Sequence, residues 1–260
     1  CQDYATVGLA MSTEKVILIT GGSRGIGAAT ALLAAQRGYA VCVNYLHNQT
    51  AARGIIETIE QSGGRAVAIA ANVASEEEVI RLFEAVDRKL GTLHALVNNA
   101  GILEPQMRVE NMDADRLSLV INTNVIGSFL CAREAVLRMS TKHGGAGGSI
   151  VNVSSAASRL GSPNEYVDYA ASKGAIDSMT IGLAKEVAAE GIRVNAVRPA
   201  FIDTDIHASG GEPNRINRVK ASIPMQRGGQ ASEVANAILW LLSDEASYTT
   251  GSFIEVSGGK

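Results

Sequence analysis

The chain is poor in the residues and patterns that mark several large classes of protein. It has three cysteines, Cys1, Cys42 and Cys131, and four scattered histidines, His47, His94, His143 and His207. No two cysteines stand as CxxC, and no short-spaced Cys/His group occurs. A disulfide framework, a thiol redox motif and a zinc site therefore have no support, and the expectation is reduced thiols in a cytoplasmic protein without a metal. Basic excess is also lacking. The 23 Lys and Arg against 26 Asp and Glu leave a formal charge of −3, the wrong sign for a partner that is nucleic acid or a membrane surface. No apolar run approaches the ~20 residues of a membrane-spanning helix. Residues 1–10, CQDYATVGLA, lack the basic start and apolar core of a secretory signal. Met11 followed by Ser-Thr-Glu-Lys reads as a natural start. Residues 1–10 are thus expected to be a foreign or disordered leader, and 11–260 a single domain.

What is present is a globular balance, 46% apolar and 19% charged residues in 260, enough for one large core. Short β-rich runs alternate with helical patterns. Strands are expected at 16–20, 40–45, 65–70, 93–98, 149–154, 193–198 and 252–256. Helices are expected at 26–37, 49–61, 75–90, 113–140, 168–190 and 231–242. The strands are continuously apolar, as in a parallel sheet covered on both faces. Right-handed crossovers then give a doubly wound, Rossmann-type α/β fold with a mostly parallel seven-stranded sheet flanked by helices on both faces. One long non-strand stretch, about 203–230, carries Gly210, Gly211, Pro213, Pro224, Gly228 and Gly229. It reads as a lid over a site, with a short helix at about 213–222.

The first strand runs into Thr20-Gly21-Gly22-Ser23-Arg24-Gly25-Ile26-Gly27. Glycine permits the tight turn and lets backbone N–H groups approach a pyrophosphate, and the following helix start adds partial positive charge. A glycine-rich turn alone can be merely structural. Its place between strand and helix makes it a nucleotide site. Further along, Tyr169 and Lys173 stand at i and i+4, on one face of a helix. A free tyrosine has a pKa near ~10, too high for proton exchange at neutral pH, and a nearby ammonium lowers it. Ser154 and Ser155 end the fifth strand, where a hydroxyl can polarise a carbonyl. Asn98-Asn99-Ala100-Gly101 follows the fourth strand. Asn124 lies within the long helix, where asparagine is a poor choice unless it has a hydrogen-bonding job. Asn195 to Pro199 ends the sixth strand, followed by Ala200, Phe201, Ile202, Asp203 and Thr204. Taken singly, each has a plain structural reading, such as a solvated helix face for the Tyr/Lys pair or a turn for the serines.

In this order, TGxxxGxG, NNAG, NVxG, SS, YxxxK and NxxxP, the motifs resemble those of the short-chain dehydrogenase/reductase family from Lys15 to Gly259, most like members acting on glucose or of unassigned substrate. The resemblance implies Tyr169 as general acid/base and Lys173 as the residue that holds the nicotinamide ribose and lowers the tyrosine pKa. It implies Ser155 polarising the carbonyl and Asn124 positioning a water in a proton relay. On the cofactor side it implies Gly21, Ser23, Arg24, Gly25, Ile26 and Gly27 in the phosphate loop. Asn44, Tyr45, Asn72 and Val73 would lie towards the adenosine, Asn98, Ala100 and Gly101 at the switch point, and Pro199, Ile202 and Thr204 towards the carboxamide. Three departures stand out. Ala200 replaces the usual glycine after the proline, Asn72 stands where many members have aspartate, and Ser155 to Tyr169 is one residue longer than the common spacing. Ser154 remains a rival for the serine role.

At the end of the second strand, where an acidic residue would bind the ribose of NAD, stand Asn44, Tyr45 and Leu46. With no carboxylate to repel a 2′-phosphate and Arg24 able to pair with it, the expected cofactor is NADP(H). The lack of a second arginine after that strand leaves NAD(H) open as well. The reading is an oxidoreductase for a small carbonyl or alcohol substrate. The alternatives are a non-catalytic NADP(H)-binding sensor or scaffold, and a methyltransferase, whose chemistry would not require the Tyr/Lys pair. The apolar surface of the helices at 113–140 and 168–190 points to a homotetramer. Arg215 and Arg218 share a face of the lid helix. Turned inward they would favour a carboxylate or phosphate on the substrate; turned outward they are solvated.

Overall fold

The computed structural model describes residues 14–204 and 206–260; the leader expected at 1–10 lies outside the described residues. In chain order the elements are β1 (Val16–Ile19), α1 (Gly25–Gln36), β2 (Ala40–Tyr45), α2 (Gln49–Gln61), β3 (Ala66–Ala70), α3 (Glu76–Lys89) and β4 (Leu93–Asn98). There follow α4 (Ala114–Ile121), α5 (Gly127–Met139), β5 (Gly148–Val153), a short α6 (Ala157–Leu160), α7 (Val167–Val187) and β6 (Ile192–Pro199). Last come β7 (Ile202–Asp203), α8 (Ile206–Ser209), α9 (Arg215–Val219), β8 (Gly229–Gln230), α10 (Ala231–Leu242) and β9 (Phe253–Val256).

Seven strands form one sheet in the order β3-β2-β1-β4-β5-β6-β9, and every pairing in it is parallel. Chain order reverses at β1, so the carboxyl ends of β1 and β4 flank the crevice where such sheets bind ligands. Both sheet faces are covered, which explains the unbroken apolar strands. Ile17 and Ile19 pack with α1, α2 and α10, whereas Val16 and Leu18 pack with α3, α5 and α7. Successive strand residues point to opposite faces, so each strand feeds two cores. Cys42 and Cys131 are buried, free thiols in the second of these cores.

Three elements differ from the sequence expectation. The helix expected over 113–140 is interrupted by a wider turn at Asn122–Ile126 that carries Asn124. A single-turn widening of this kind preserves the helix axis while displacing its carbonyls, and it leaves no gap in apolar periodicity to read. The helix expected over 168–190 ends at Val187 in a tighter turn over Ala188–Glu190. The stretch 203–230 is not free of strand, because β7 and β8 pair with each other. Its helix at 213–222 is only Arg215–Val219, tightening into a turn at Lys220–Ser222. No helix among the described residues is long and apolar enough to cross a membrane.

Candidate active site

At the end of β1 the chain turns sharply at Gly21, whose φ of +60° lies in the left-handed region. A Cβ there would sit 3.0 Å from the Ala100 Cα. Gly27 is required for a different reason: its Cβ would fall 2.5 Å from the Gly21 carbonyl oxygen and 2.6 Å from Asn99 Nδ2. The loop is fastened from below. Thr20 Oγ1 accepts from the backbone N–H of Asn99 and of Ala100, both at 3.0 Å. Asn99 Nδ2 donates to the carbonyls of Thr20 at 2.9 Å and Gly21 at 3.0 Å. Arg24 caps α1 in extended conformation with no side-chain hydrogen bond, so the first N–H groups of this helix are left for an anion. A glycine cradle that any side chain would fill, set against an uncapped helix start, fits the pyrophosphate of a dinucleotide.

The residues expected around that cofactor divide in two. Ile26, Gly101, Pro199, Ile202 and Thr204 line one cleft with Ser155, Tyr169 and Lys173. Ser23 and Arg24 lie on the loop, Arg24 exposed and with no carboxylate partner among the described residues. Tyr45 is buried at the end of β2, and the neighbouring Leu46 is exposed. Asn44 does not present its side chain to the crevice. Its Oδ1 accepts from Gly21 N at 3.3 Å and its Nδ2 donates to the Ala71 carbonyl at 3.0 Å, so it bolts the loop to the strands. Asn98 is likewise turned inward, with Nδ2 donating to Asn152 Oδ1 at 3.0 Å and to the Ser128 carbonyl at 3.2 Å. The neighbour that sequence reasoning passed over, Asn99, is the one at the cleft. Asn72 spends its Oδ1 on Ala74 N at 3.0 Å. Val73 is buried against Gly127, where a Cβ would meet Val73 Cγ2 at 2.8 Å.

The proton-bearing groups converge at the carboxyl end of β5. Lys173 is 4% exposed, and its Nζ donates to the Val153 carbonyl at 2.7 Å and lies 5.6 Å from the centre of the Tyr169 ring. Burial pushes its ammonium down to about 8, against the opposing pull of the Asp177 carboxylate. Burial pushes the Tyr169 phenol up, while a hydrogen bond from Ser155 and the positive charge of Arg215 draw it down. The two serines part company here. Ser155 Oγ donates to the Pro199 carbonyl at 3.4 Å and accepts from Ala157 N at 3.1 Å, whereas Ser154 Oγ donates to Asp177 Oδ1 at 2.6 Å and faces the Lys173 carbonyl at 3.3 Å. Asp177 is in turn held by Arg198, at 3.0 Å, which also binds Glu255 at 2.9 Å. Asp177 was missed by sequence reasoning, although the signal was available: it stands four residues after Lys173, on the same helix face. Asn124 is fully buried. Its Oδ1 accepts from Ile102 N at 2.8 Å, and its Nδ2 donates to the Ile102 carbonyl and to Ser172 Oγ, both at 3.1 Å. The side chain is thus occupied, and the Asn124 carbonyl accepts from Ser128 Oγ at 2.9 Å.

The cleft is small, about 90 Å³, and takes only the reacting end of a ligand. Three loops are tied to one another. Tyr166 Oη donates to the Gly210 carbonyl at 3.1 Å, Gln106 Nε2 to Glu212 at 2.8 Å, and Met107 N to the Glu165 carbonyl at 2.9 Å. Arg215 and Arg218 do share a face, and both engage Glu165 and Glu212, so neither is simply solvated.

A parallel sheet with a glycine cradle at its switch point, and Ser155, Tyr169 and Lys173 gathered beside it, suits an oxidoreductase. The comparisons agree. Residues 21–260 match the family described as enoyl-(acyl carrier protein) reductase. An uncharacterized oxidoreductase, YgfF, of Escherichia coli (strain K12) is 64% identical over 94% of this chain and 99% of its own length. The 3-oxoacyl-[acyl-carrier-protein] reductase FabG of Staphylococcus aureus (strain N315) is 38% identical over 96% of this chain and 99% of its own. A crystal structure of a dehydrogenase/reductase from Sinorhizobium meliloti 1021 superposes with a TM-score of 0.87, at 32% identity, covering 94% of both chains. The chain belongs to the short-chain dehydrogenase/reductase family and is an oxidoreductase of that type.

Proposed function

We propose that the protein interconverts a small carbonyl compound and its alcohol using NADP(H), with Tyr169 as general acid/base. The observation that carries this reading is a single cleft lined by Ser155, Tyr169 and the buried Lys173, whose Nζ lies 5.6 Å from the centre of the Tyr169 ring. Two hydroxyls in one cleft suit a carbonyl oxygen, which accepts two hydrogen bonds and gains charge as it is reduced. In the reducing direction Tyr169 gives its proton to that oxygen while Ser155 holds it. Lys173 stabilises the phenolate left behind and is placed to hold ribose hydroxyls. Asn124 positions the water that restores the proton. Bound nicotinamide would supply the hydride and, when oxidised, a further positive charge near the phenol. Relatives named for 3-oxoacyl substrates fit the same class, since such substrates carry a ketone.

NADP(H) is preferred on this reading because Asn44, Tyr45 and Leu46 offer no carboxylate to a 2′-phosphate, and Arg24 is exposed at the loop with no carboxylate partner among the described residues. NAD(H) remains usable, at lower efficiency. The unpartnered apolar side chains of α4, α5 and α7 support a homotetramer.

The test is Tyr169→Phe. It should keep NADPH binding, read by fluorescence titration, and lose about 10²–10⁴-fold in turnover on a carbonyl panel. Near-wild-type turnover overturns the assignment, and cofactor binding without turnover in the parent protein favours a sensor or scaffold. Arg24→Ala should erode the ratio of kcat/KM for NADPH over NADH. A parent enzyme equally efficient with NADH overturns the cofactor preference.

A further inference from the structure

Tyr169 stands third in α7, in the turn whose N–H groups have no partner within the helix. Tyr166, the residue at the head of that helix, caps it with no side-chain hydrogen bond. The backbone N–H of Tyr169 is taken instead by the neighbouring carboxylate, Asp168 Oδ1, at 2.9 Å. Asp168 is in turn held from another helix. Arg116 of α4 donates through Nε to Asp168 Oδ2 at 2.8 Å and through Nη2 to Oδ1 at 3.4 Å. Both side chains are buried, 8% exposed for Arg116 and 2% for Asp168. Arg116 Nη1 donates to the Pro105 carbonyl at 2.7 Å. One guanidinium thus joins α4, the first turn of α7 and the loop that leaves β4. That loop starts at the cleft with Gly101, and its next residue, Ile102, is paired with Asn124. Lys173 needs no such support: it lies a turn further into α7, and the Val153 carbonyl fixes its Nζ at 2.7 Å.

We infer that Arg116 is a positioning residue for the reaction: through Asp168 it keeps the first turn of α7 wound, so that Tyr169 stays in register with Lys173. The inference rests on the reading of Tyr169 as general acid/base. Arg116 is not among the residues that line the cleft, so it acts through Asp168 and the Tyr169 backbone. Helix ends fray, and a tyrosine in a frayed first turn would carry its hydroxyl away from the reacting oxygen. A misplacement of about 1 Å at a reacting group can cost about 10²-fold in rate. A buried ion pair adds little stability over apolar side chains of the same volume, whereas its fixed, two-point geometry sets direction well. That suits a clamp on a catalytic helix better than a contribution to the core.

The experiment uses the full chain with NADPH, at a temperature where circular dichroism shows every variant folded. Arg116→Met should lower kcat for carbonyl reduction about 10²-fold, while KM for the carbonyl and Kd for NADPH change less than about threefold. Arg116→Lys, which keeps the charge and a donor, should recover part of the loss. Joined to Tyr169→Phe, Arg116→Met should cost nothing further in residual turnover, because groups that act as one unit are not additive. Hydrogen exchange at the Tyr169 amide, governed by local opening of the turn, should quicken at least ~10-fold in Arg116→Met. An equal fold-loss in the Tyr169→Phe background would mark a general loss of structure and overturn the inference. So would an unchanged kcat, unchanged exchange, or a loss carried by KM or Kd instead of kcat. Faster exchange in Arg116→Met together with near-parental turnover by Tyr169→Phe would sink the acid/base reading of Tyr169 and leave the clamp on α7 standing.

Discussion

Replacing Asp177 with asparagine removes one negative charge a helical turn from Lys173 while keeping an oxygen that can accept from Ser154, as Asp177 Oδ1 does at 2.6 Å. The charged and titratable groups around Lys173 are few: Tyr169 and Asp177 on its own helix, and Arg198 on β6 behind Asp177. The Val153 carbonyl accepts from its Nζ, and Asn124 adjoins it across Gly101. Burial pushes Lys173 down to about 8, and Asp177 works against that by favouring the ammonium. Without the carboxylate the pKa falls further, and Arg198 is left with one fewer counter-charge. Unit charges ~8 Å apart at an effective dielectric of ~20 interact by about 2 kcal/mol, or about 1.5 pKa units. The ammonium is the acid form, so activity that needs it is lost as pH rises through the pKa. The alkaline limb of kcat/KM for carbonyl reduction should therefore move from near pH 8 to roughly 1.5 units lower. At pH 7.5 the variant should retain roughly an eighth of parental kcat/KM by this shift, and it should recover towards the parental value below pH 6. An unmoved limb refutes the electrostatic role of Asp177. A loss that is uniform across pH would show that Asp177 only holds the β5–α7 junction together.

Three further outcomes follow from the packing. Gly27→Ala would place a Cβ 2.5 Å from the Gly21 carbonyl oxygen; it should weaken NADPH binding at least ~10-fold and cost about 1–3 kcal/mol of stability, and an unaltered Kd and melting curve would contradict the cradle. Arg116→Met strips the counter-charge from Asp168, whose side chain is 2% exposed and bonded to Arg116 at 2.8 Å. An uncompensated buried carboxylate costs about 3–5 kcal/mol, a fall in Tm of roughly 10 °C, and a change under 2 °C would show that the site relaxes. Phe129, Ile126 and Ile181 are each about half-exposed on neighbouring helices, an apolar area typical of an interface. Light scattering should report a tetramer that Phe129→Asp splits into smaller species, and a parental monomer at micromolar concentration would refute this.

How much was readable before the structure depended on the range of the physics involved. The doubly wound parallel sheet needed only the alternation of short apolar runs with helices and the handedness of crossovers, both carried by local patterns. The phosphate loop was legible because a left-handed turn such as Gly21 and a crowded position such as Gly27 admit little but glycine. The Tyr169/Lys173 pair was legible because i,i+4 spacing places side chains together within a single helix. Other assignments rested on directions that no spacing encodes. Ser154 and Ser155 are adjacent at a strand end, yet they take different partners, one Asp177 and the other the Pro199 carbonyl beside the cleft. Asn98 and Asn99 are divided in the same manner, the first into the core and the second under the loop. Asn44 reads as a cofactor residue until the loop folds back onto it. The arginines of the lid show the same limit: three residues apart, they share a face by helical geometry, yet only Arg215 is buried, because Tyr166, Phe201 and Glu165 come to it from distant parts of the chain. Sequence alone determined the class of fold and which residue types reach the carboxyl edge of the sheet; only the tertiary structure decided which of two neighbours faces the cleft, since burial and direction are set by contacts made across the chain.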